Sequence, residues 1–443
     1  MEISELSKIL RESGVVGAGG AGFPTYGKLS DKVDTIILNC AECEPLLKLH
    51  RQLLEARTYE IIKALTLIAD TVGAKEIIIG VKEEYKSTIR ALESCVDSAS
   101  MVRIHKLPGA YPMGDEVVLI YETTGKVVRP GGLPVECGIA VFNVETAFNV
   151  YRAVWEKKPV IEKCVTVAGE VKNPGSFMVP IGMGYRELIA LAGGVTTDNP
   201  VYLSGGPMMG NLVPLATTVT KTTNAVIVLP EDHIYVQKKQ VKFKTALLRA
   251  QASCCQCTTC TDLCPRHNLG HPIEPHMFMR AATNSDTKDI SAYINTMFCS
   301  SCGLCENYSC PQGLSPRSMM AEFKANLRKS GVKPPVVEAA AVKESRQYRR
   351  VPEERLLARL GLKEYDKDAL LSEEVVYARL VRIKLSQHIG AKAVPVVKEG
   401  ENVSKGQMIA APAEGLSVGI HSSLNGRVSE ITDQYIVIVN KEA

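Results

Sequence analysis

Eight of the fourteen cysteines fall into two sets of matching design, Cys254-x2-Cys257-x2-Cys260-x3-Cys264-Pro265 and Cys299-x2-Cys302-x2-Cys305-x4-Cys310-Pro311. Thiolates are soft ligands, suited to iron–sulfur clusters and to zinc. Three thiols spaced three residues apart can wrap one iron–sulfur cube, and so tight a loop leaves the fourth corner to a more distant thiolate. Structural zinc is the competing reading, but it usually takes two Cys-x2-Cys pairs set further apart. Each set here is a triplet with a trailing Cys-Pro.

When such sets come in twos, the Cys before Pro ligates the other cluster. That rule assigns Cys254, Cys257, Cys260 and Cys310 to one [4Fe-4S] centre, and Cys299, Cys302, Cys305 and Cys264 to a second. Crossed ligands hold two clusters close together, as stepwise electron transfer requires. The longer x4 gap in the second set leaves an alternative open, in which Cys310 closes its own set. Cys255, beside a ligand, is expected to be a spare thiol. Thirty-four residues separate Cys264 from Cys299, with apolar positions at helical spacing in His276–Arg280 and Ile290–Ile294. An α-helical dicluster domain is therefore expected, with His267, His271 and His276 supporting helix starts and not ligating.

The elements upstream set a different chemistry. An amphipathic helix over Ile3–Glu12 leads into Gly14-Val-Val-Gly17-Ala-Gly19-Gly20-Ala-Gly22-Phe-Pro-Thr25. Glycines this dense let backbone N–H groups approach a phosphate directly. An apolar strand, Thr35–Leu38, delivers Asn39-Cys-Ala-Glu42-Cys-Glu44. Further on come Tyr111-Pro-Met-Gly114-Asp-Glu116, Gly131-Gly-Leu-Pro and Val141-Phe-Asn143. Between them a helical stretch over 57–69, a strand over 76–80 and a charged helix from Glu83 alternate, the pattern of an α/β sandwich with its site at the strand ends.

These motifs, in this order over about the first 150 residues, resemble the flavin-bearing, NADH-oxidising subunit of respiratory complex I and the C subunit of the Rnf electron-transport complex. The resemblance implies that Gly17, Gly19, Gly20, Gly22, Lys28, Asn39, Glu42, Tyr111, Gly114 and Asn143 contact FMN, with Glu44 and Glu116 nearer the nicotinamide nucleotide. Ala18 and Ala41 stand where the family pattern has Arg and Asp, and Leu133 where an aromatic residue stacks adenine. Cys40 and Cys43 are expected to be small buried residues behind the flavin.

Short strands from Cys164 and a helix over 185–192 are similar to the soluble-ligand-binding β-grasp module that follows the flavin domain in this family, expected here as a rigid spacer. The last 70 residues, with glycine-punctuated strands, are similar to the barrel–sandwich hybrid of lipoyl and biotinyl carriers. No Met-Lys-Met turn is present for modification, so a docking module is expected. The implied fold is multidomain α/β and α+β: an FMN/NADH domain over 1–160, a β-grasp over 161–235, a dicluster domain over 245–330, a charged helical linker over 331–371, and a barrel–sandwich hybrid over 372–443. This order, together with Pro265-Arg-His-Asn-Leu-Gly-His271 and Arg349-Arg-Val-Pro-Glu-Glu-Arg, resembles the cobalamin reductases of propanediol-utilising microcompartments.

Composition narrows the setting. A formal net charge of +4 with dispersed Lys and Arg does not imply nucleic acid. The one basic run, Lys238-Lys239-Gln-Val-Lys242-Phe-Lys244, is expected to be a solvated edge. No apolar run reaches the ~18–20 residues of a membrane span, and Met1–Lys8 lacks the features of a secretory signal. Unpaired cluster thiols suit a reducing cytosol, a place inside a microcompartment being implied only by the resemblance. The expected activity is an NADH-dependent FMN and iron–sulfur reductase that delivers single electrons to cob(III/II)alamin for a B12-dependent diol dehydratase. The alternative is an Rnf-type or proline-reductase-type relay that passes electrons to a protein partner.

Overall fold

The computed structural model describes residues 1–96, 101–372 and 374–441. Its first layer is a four-stranded parallel sheet. The elements run α1 (Ile3–Glu12), β1 (Thr35–Cys40), α2 (Leu49–Ala56), α3 (Thr58–Val72), β2 (Glu76–Lys82), α4 (Lys86–Cys95), β3 (Val102–Leu107), β4 (Ala110–Tyr111), α5 (Glu116–Thr124), β5 (Ile139–Asn143) and α6 (Val144–Val154). The strand order is β3-β2-β1-β5. Isoleucine-rich runs such as Thr35-Ile-Ile-Leu and Glu76-Ile-Ile-Ile suit parallel strands, which are covered on both faces. Ile36, Leu38, Ile77 and Ile79 pack toward α1, α3 and α6, while Ile37, Ile78 and Val141 pack against α5. Period-two side-chain alternation thus splits one apolar run between two cores.

The β-grasp adds β6 (Glu162–Gly169), β7 (Gly175–Pro180), α7 (Tyr185–Leu191), β8 (Pro200–Ser204), β9 (Asn211–Val213) and β10 (Ala225–Pro230). The cluster domain is helical, as expected. Its longest helices, Phe243–Ser253, Pro275–Asn284 and Pro316–Lys329, meet around Phe278, Met279, Met319 and Met320, with Tyr293 stacked on Phe323. The C-terminal module is two small sheets of four and three strands.

Two expectations fail. The 331–371 segment is a strap and not a free linker. Val351–Pro352 pairs antiparallel with β4, the helix Glu353–Leu360 buries Leu356, Leu357 and Leu360, and Leu371–Ser372 extends the β-grasp sheet beside β7. Its apolar residues are few but fall on one helical face, which is sufficient to bury it while the charges stay outside. The Lys238-Lys239 pair is likewise not a solvated edge. Lys238 donates to the Glu306 carbonyl and Lys239 to that of Gly210, because long apolar stems let both lysines lie along a domain junction. Among the described residues no helix is long and apolar enough to cross a membrane.

The C-terminal module docks on the start of the chain. Gly419 N–H donates to the Arg11 carbonyl at 2.9 Å, and the Arg11 guanidinium reaches Ala413 O at 2.7 Å and Ser417 O at 3.3 Å. It also shares a core with the β-grasp, where Arg382 N–H donates to Gly182 O.

Candidate functional site

The carboxyl ends of β1 and β5 open one edge of the parallel sheet, the usual place for a ligand in such folds. Asn39 and Asn143 are register partners there. The glycine loop is drawn to the same edge because Ala18 N–H donates to Thr146 Oγ1 in the first turn of α6 (2.9 Å). Gly114 closes in from the loop before α5: its carbonyl accepts from Asn39 Nδ2 (2.9 Å), and its N–H donates to Cys43 Sγ (3.3 Å). A Cβ on Gly114 would sit 2.9 Å from that sulfur, so glycine is required for the approach. Lys28 donates to Val141 O at 2.6 Å and stands 3.5 Å from Glu116.

Within the loop, Gly20 and Gly22 adopt φ of +60° and +66°, a left-handed backbone that favours glycine. The N–H groups of Gly19, Gly20 and Ala21 have no hydrogen-bond partner among the described residues. Thr25 Oγ1 is buried and also unpartnered. Free donors on a left-handed turn, with an orphaned hydroxyl near the loop's end, fit the phosphate of a flavin nucleotide. Gly22 itself faces the C-terminal module, its Cβ position lying 2.9 Å from Gln387 O.

Three acidic or aromatic side chains turn elsewhere than the resemblance implies. Glu42 caps α2, accepting from His50 N–H at 2.6 Å and Arg51 N–H at 3.3 Å; burial pushes its carboxyl up to about 7. Glu44 accepts from the Met208 and Met209 amides of the β-grasp at 2.8 and 2.9 Å, and burial raises it to about 7 as well. Tyr111 donates to the Cys302 carbonyl at 2.6 Å. In each case a neighbouring backbone group supplies the hydrogen bond that a buried polar atom needs. Asn143 caps α6 through Glu145 N–H and lies 3.4 Å from His50, a residue the sequence reading did not single out. Burial, with Lys163 nearby, pulls His50 down to about 3 and keeps it neutral.

The cysteines gather as two crossed quartets. Cys254, Cys257, Cys260 and Cys310 line one small cavity, and Cys264, Cys299, Cys302 and Cys305 another. No disulfide ties any of them. Among the described residues no His, Cys, Asp and Glu side chains converge to hold a metal ion; the thiols instead stand around the walls of their cavities, as a multi-atom cluster needs. Burial and the neighbouring thiols push Cys260 up to about 12. To hold a metal cluster these thiols must give up their protons. Four thiols per cavity fit a [4Fe-4S] cube. Cys255 is exposed and borders the first cavity.

The quartets differ in surroundings. The first is outer, with Cys255, Gln256, Cys257 and Thr258 all exposed. The second is inner and fastened to the flavin domain. Besides the Tyr111 bond, Arg266 pairs with Asp115 at 2.9 Å, and Phe298 lies 3.5 Å from the Cβ position of Gly131. The histidines are supports: His271 bonds Val128 O and His276 bonds Thr261 Oγ1. Asp115 and Arg266, each next to a residue already singled out, are the functional pair that sequence reasoning missed.

Comparison with known proteins follows this architecture module by module. The Nuo51 FMN-binding domain matches residues 10–152, the SLBB domain 164–212, a 4Fe-4S dicluster domain 253–315 and the RnfC barrel sandwich hybrid domain 362–442. The cobalamin reductase PduS of Citrobacter freundii is 42% identical over 437 residues, covering 97% of this chain and 95% of its own. That of Salmonella typhimurium is 41% identical, covering 99% and 97%. A component of the Na(+)-translocating ferredoxin:NAD(+) oxidoreductase complex of Acetobacterium woodii is 30% identical over 64% of each chain. An NAD+-reducing [NiFe]-hydrogenase structure shares the fold, with a TM-score of 0.50 at 23% identity over 75% of this chain and 64% of its own. An FMN module, a β-grasp, paired cysteine sets and a C-terminal barrel–sandwich, matched in one order along almost the whole length of two such reductases, make this chain an oxidoreductase of the cobalamin reductase family.

Proposed function

We propose that the protein oxidises NADH at FMN and passes single electrons through two [4Fe-4S] clusters to cob(III/II)alamin, in the service of a B12-dependent diol dehydratase. The observation that carries this reading is the pair of crossed thiol quartets, one of them fastened to the loop that borders the flavin edge. The near full-length likeness to the cobalamin reductases supports the acceptor. When bound, FMN accepts two electrons together and releases them singly, and each cluster carries one. The chain's own groups bind and orient. The Gly19, Gly20 and Ala21 amides hold the phosphate, Asn39 and Gly114 fix the loop beneath the ring, and Lys28 with Glu116 borders the opening. The quartets Cys254, Cys257, Cys260, Cys310 and Cys264, Cys299, Cys302, Cys305 hold the clusters. No side chain is assigned acid–base catalysis. The cytoplasm, within a microcompartment, is the setting that goes with this acceptor.

A second reading is favoured by Glu44 and Leu133. Glu44 is engaged by the β-grasp, and Leu133 is 61% exposed where the family stacks adenine. In this reading the chain is a relay reduced by a protein partner and does not bind NADH. Anaerobic titration of the purified protein with NADH separates the two. Rapid bleaching of the flavin followed by cobalamin reduction supports the reductase. Flavin that stays oxidised until a reducing protein is added supports the relay.

A further inference from the structure

The two quartets differ in charge as well as in depth. No Lys or Arg lines the outer cavity, whereas Arg266 and Arg317 both line the inner one, and Lys324 donates to Cys299 O at 2.7 Å. These three cations are not equivalent. Arg266 is already neutralised by Asp115, and Lys324 is spent on a backbone carbonyl. Arg317, on the first turn of the helix Pro316–Lys329, makes no ion pair and no hydrogen bond among the described residues, and its Nε is buried without a partner. A buried guanidinium nitrogen left unsatisfied is destabilising unless a ligand completes it. The neighbouring Glu306, which could have paired with it, is instead occupied by Ser318 N–H and Oγ.

We propose that Arg317 is the counter-charge of the cluster held by Cys264, Cys299, Cys302 and Cys305, a positioning and potential-setting residue for the centre beside the flavin. The inference rests on the cluster reading above. A cluster in four thiolates is anionic, and taking up one electron, supplied by reduced flavin, adds one negative charge with no bond made or broken. A fixed cation lining the cavity would favour the reduced form of a cluster held there; net charge and hydrogen bonds to sulfur are the levers that set such potentials. Because Arg317 has no ion pair among the described residues, its charge is not cancelled by direct contact with a carboxylate. The outer cluster, open to water and without a lining cation, would feel it less.

The test is an EPR-monitored redox titration of anaerobically prepared full-chain protein, with iron, sulfide and FMN measured first. Cys257→Ser identifies the outer signal by its loss. In Arg317→Gln, the reduced-to-oxidised ratio of the inner centre at a fixed potential should fall about tenfold, equal to about 59 mV for a one-electron couple, with the outer centre moved less and FMN content unchanged. Arg317→Lys should restore most of the shift. An unmoved inner potential in a fully loaded Arg317→Gln protein overturns the proposal, as does a shift of the outer centre instead. If Arg317→Gln and Arg317→Met both lose the inner cluster, Arg317→Lys decides: retention of the cluster supports a need for charge, and its loss shows a role of shape alone. Wild-type protein without iron and sulfide would instead sink the underlying cluster reading.

Discussion

Gly20 and Gly22 share a left-handed backbone but not a neighbourhood, and the difference predicts different failures. An alanine at either position must adopt φ near +60°, at a cost of roughly 1–2 kcal/mol for a non-glycine residue. At Gly20 that is the whole cost, since nothing lies within 4 Å of the added carbon. At Gly22 the carbon would stand 2.9 Å from Gln387 O, 2.9 Å from Thr222 Cγ2 and 3.3 Å from His388 Cα. Two of these atoms belong to backbone and cannot swing aside, so overpacking adds roughly 1–3 kcal/mol. The added strain falls on the docking of the C-terminal module. Gly22→Ala should therefore weaken that docking by about 5- to 150-fold relative to Gly20→Ala, at 1.4 kcal/mol per tenfold. Hydrogen exchange at 386–392 and 416–421 reads it directly. Gly22→Ala should lose protection in both segments while the cluster domain keeps its own. Gly20→Val, with a branched side chain over the free amides, should lose FMN and leave docking intact. Equal loss of protection in the two alanine variants, or none in Gly22→Ala, would refute the reasoning.

Metal analysis after anaerobic preparation should find about eight iron and eight acid-labile sulfide per chain, for two cubes with four thiolates each; zinc near two per chain would contradict it. Cys310→Ser should abolish the EPR signal that Cys254→Ser abolishes, and loss of the Cys299→Ser signal would mean that each set closes on itself. Burial lowers Lys221 to about 7, from 10.5 in the unfolded chain, where its Nζ donates to Gly14 O and Gly419 O. Between those values the unfolded chain binds the extra proton, so this lysine makes stability rise with pH from about 7 to 10.5. Lys221→Met should flatten that rise in pH-dependent unfolding of the C-terminal module, and an unchanged slope would remove Lys221 from the account.

Local pattern made some of this legible. The helices at Ile3–Glu12 and Glu353–Leu360 stand where the 3.6-residue spacing of Leu6 and Leu10, and of Leu356, Leu357 and Leu360, puts them. Placing Cys310 beside the Cys254 triplet followed from the rule that the Cys before Pro crosses over between paired sets, while the x4 gap left it the choice of closing its own. What escaped depends on surfaces meeting. Lys238 and Lys239 look solvated until the β-grasp and cluster domains come together over them. Tyr111 resembles a flavin contact until the Cys302 carbonyl arrives above its hydroxyl. The strap over 351–372 has the composition of a linker, and only the edge of β4 and the edge of β7 reveal two places for it to pair. A sequence carries the apolar face of each module, but the polar bonds between modules follow from how they sit.

The seat of the C-terminal module beside Arg11 bears on ancestry. Residues 413–419 lie against the helix Ile3–Glu12, held by contacts that depend on adjacency in space and take no account of connectivity. A gene rearrangement that moved this module ahead of the helix Ile3–Glu12 would leave the same bonds to the Arg11 carbonyl and guanidinium available. The two orders of modules would then be one assembly cut open at different points, as in a circular permutant.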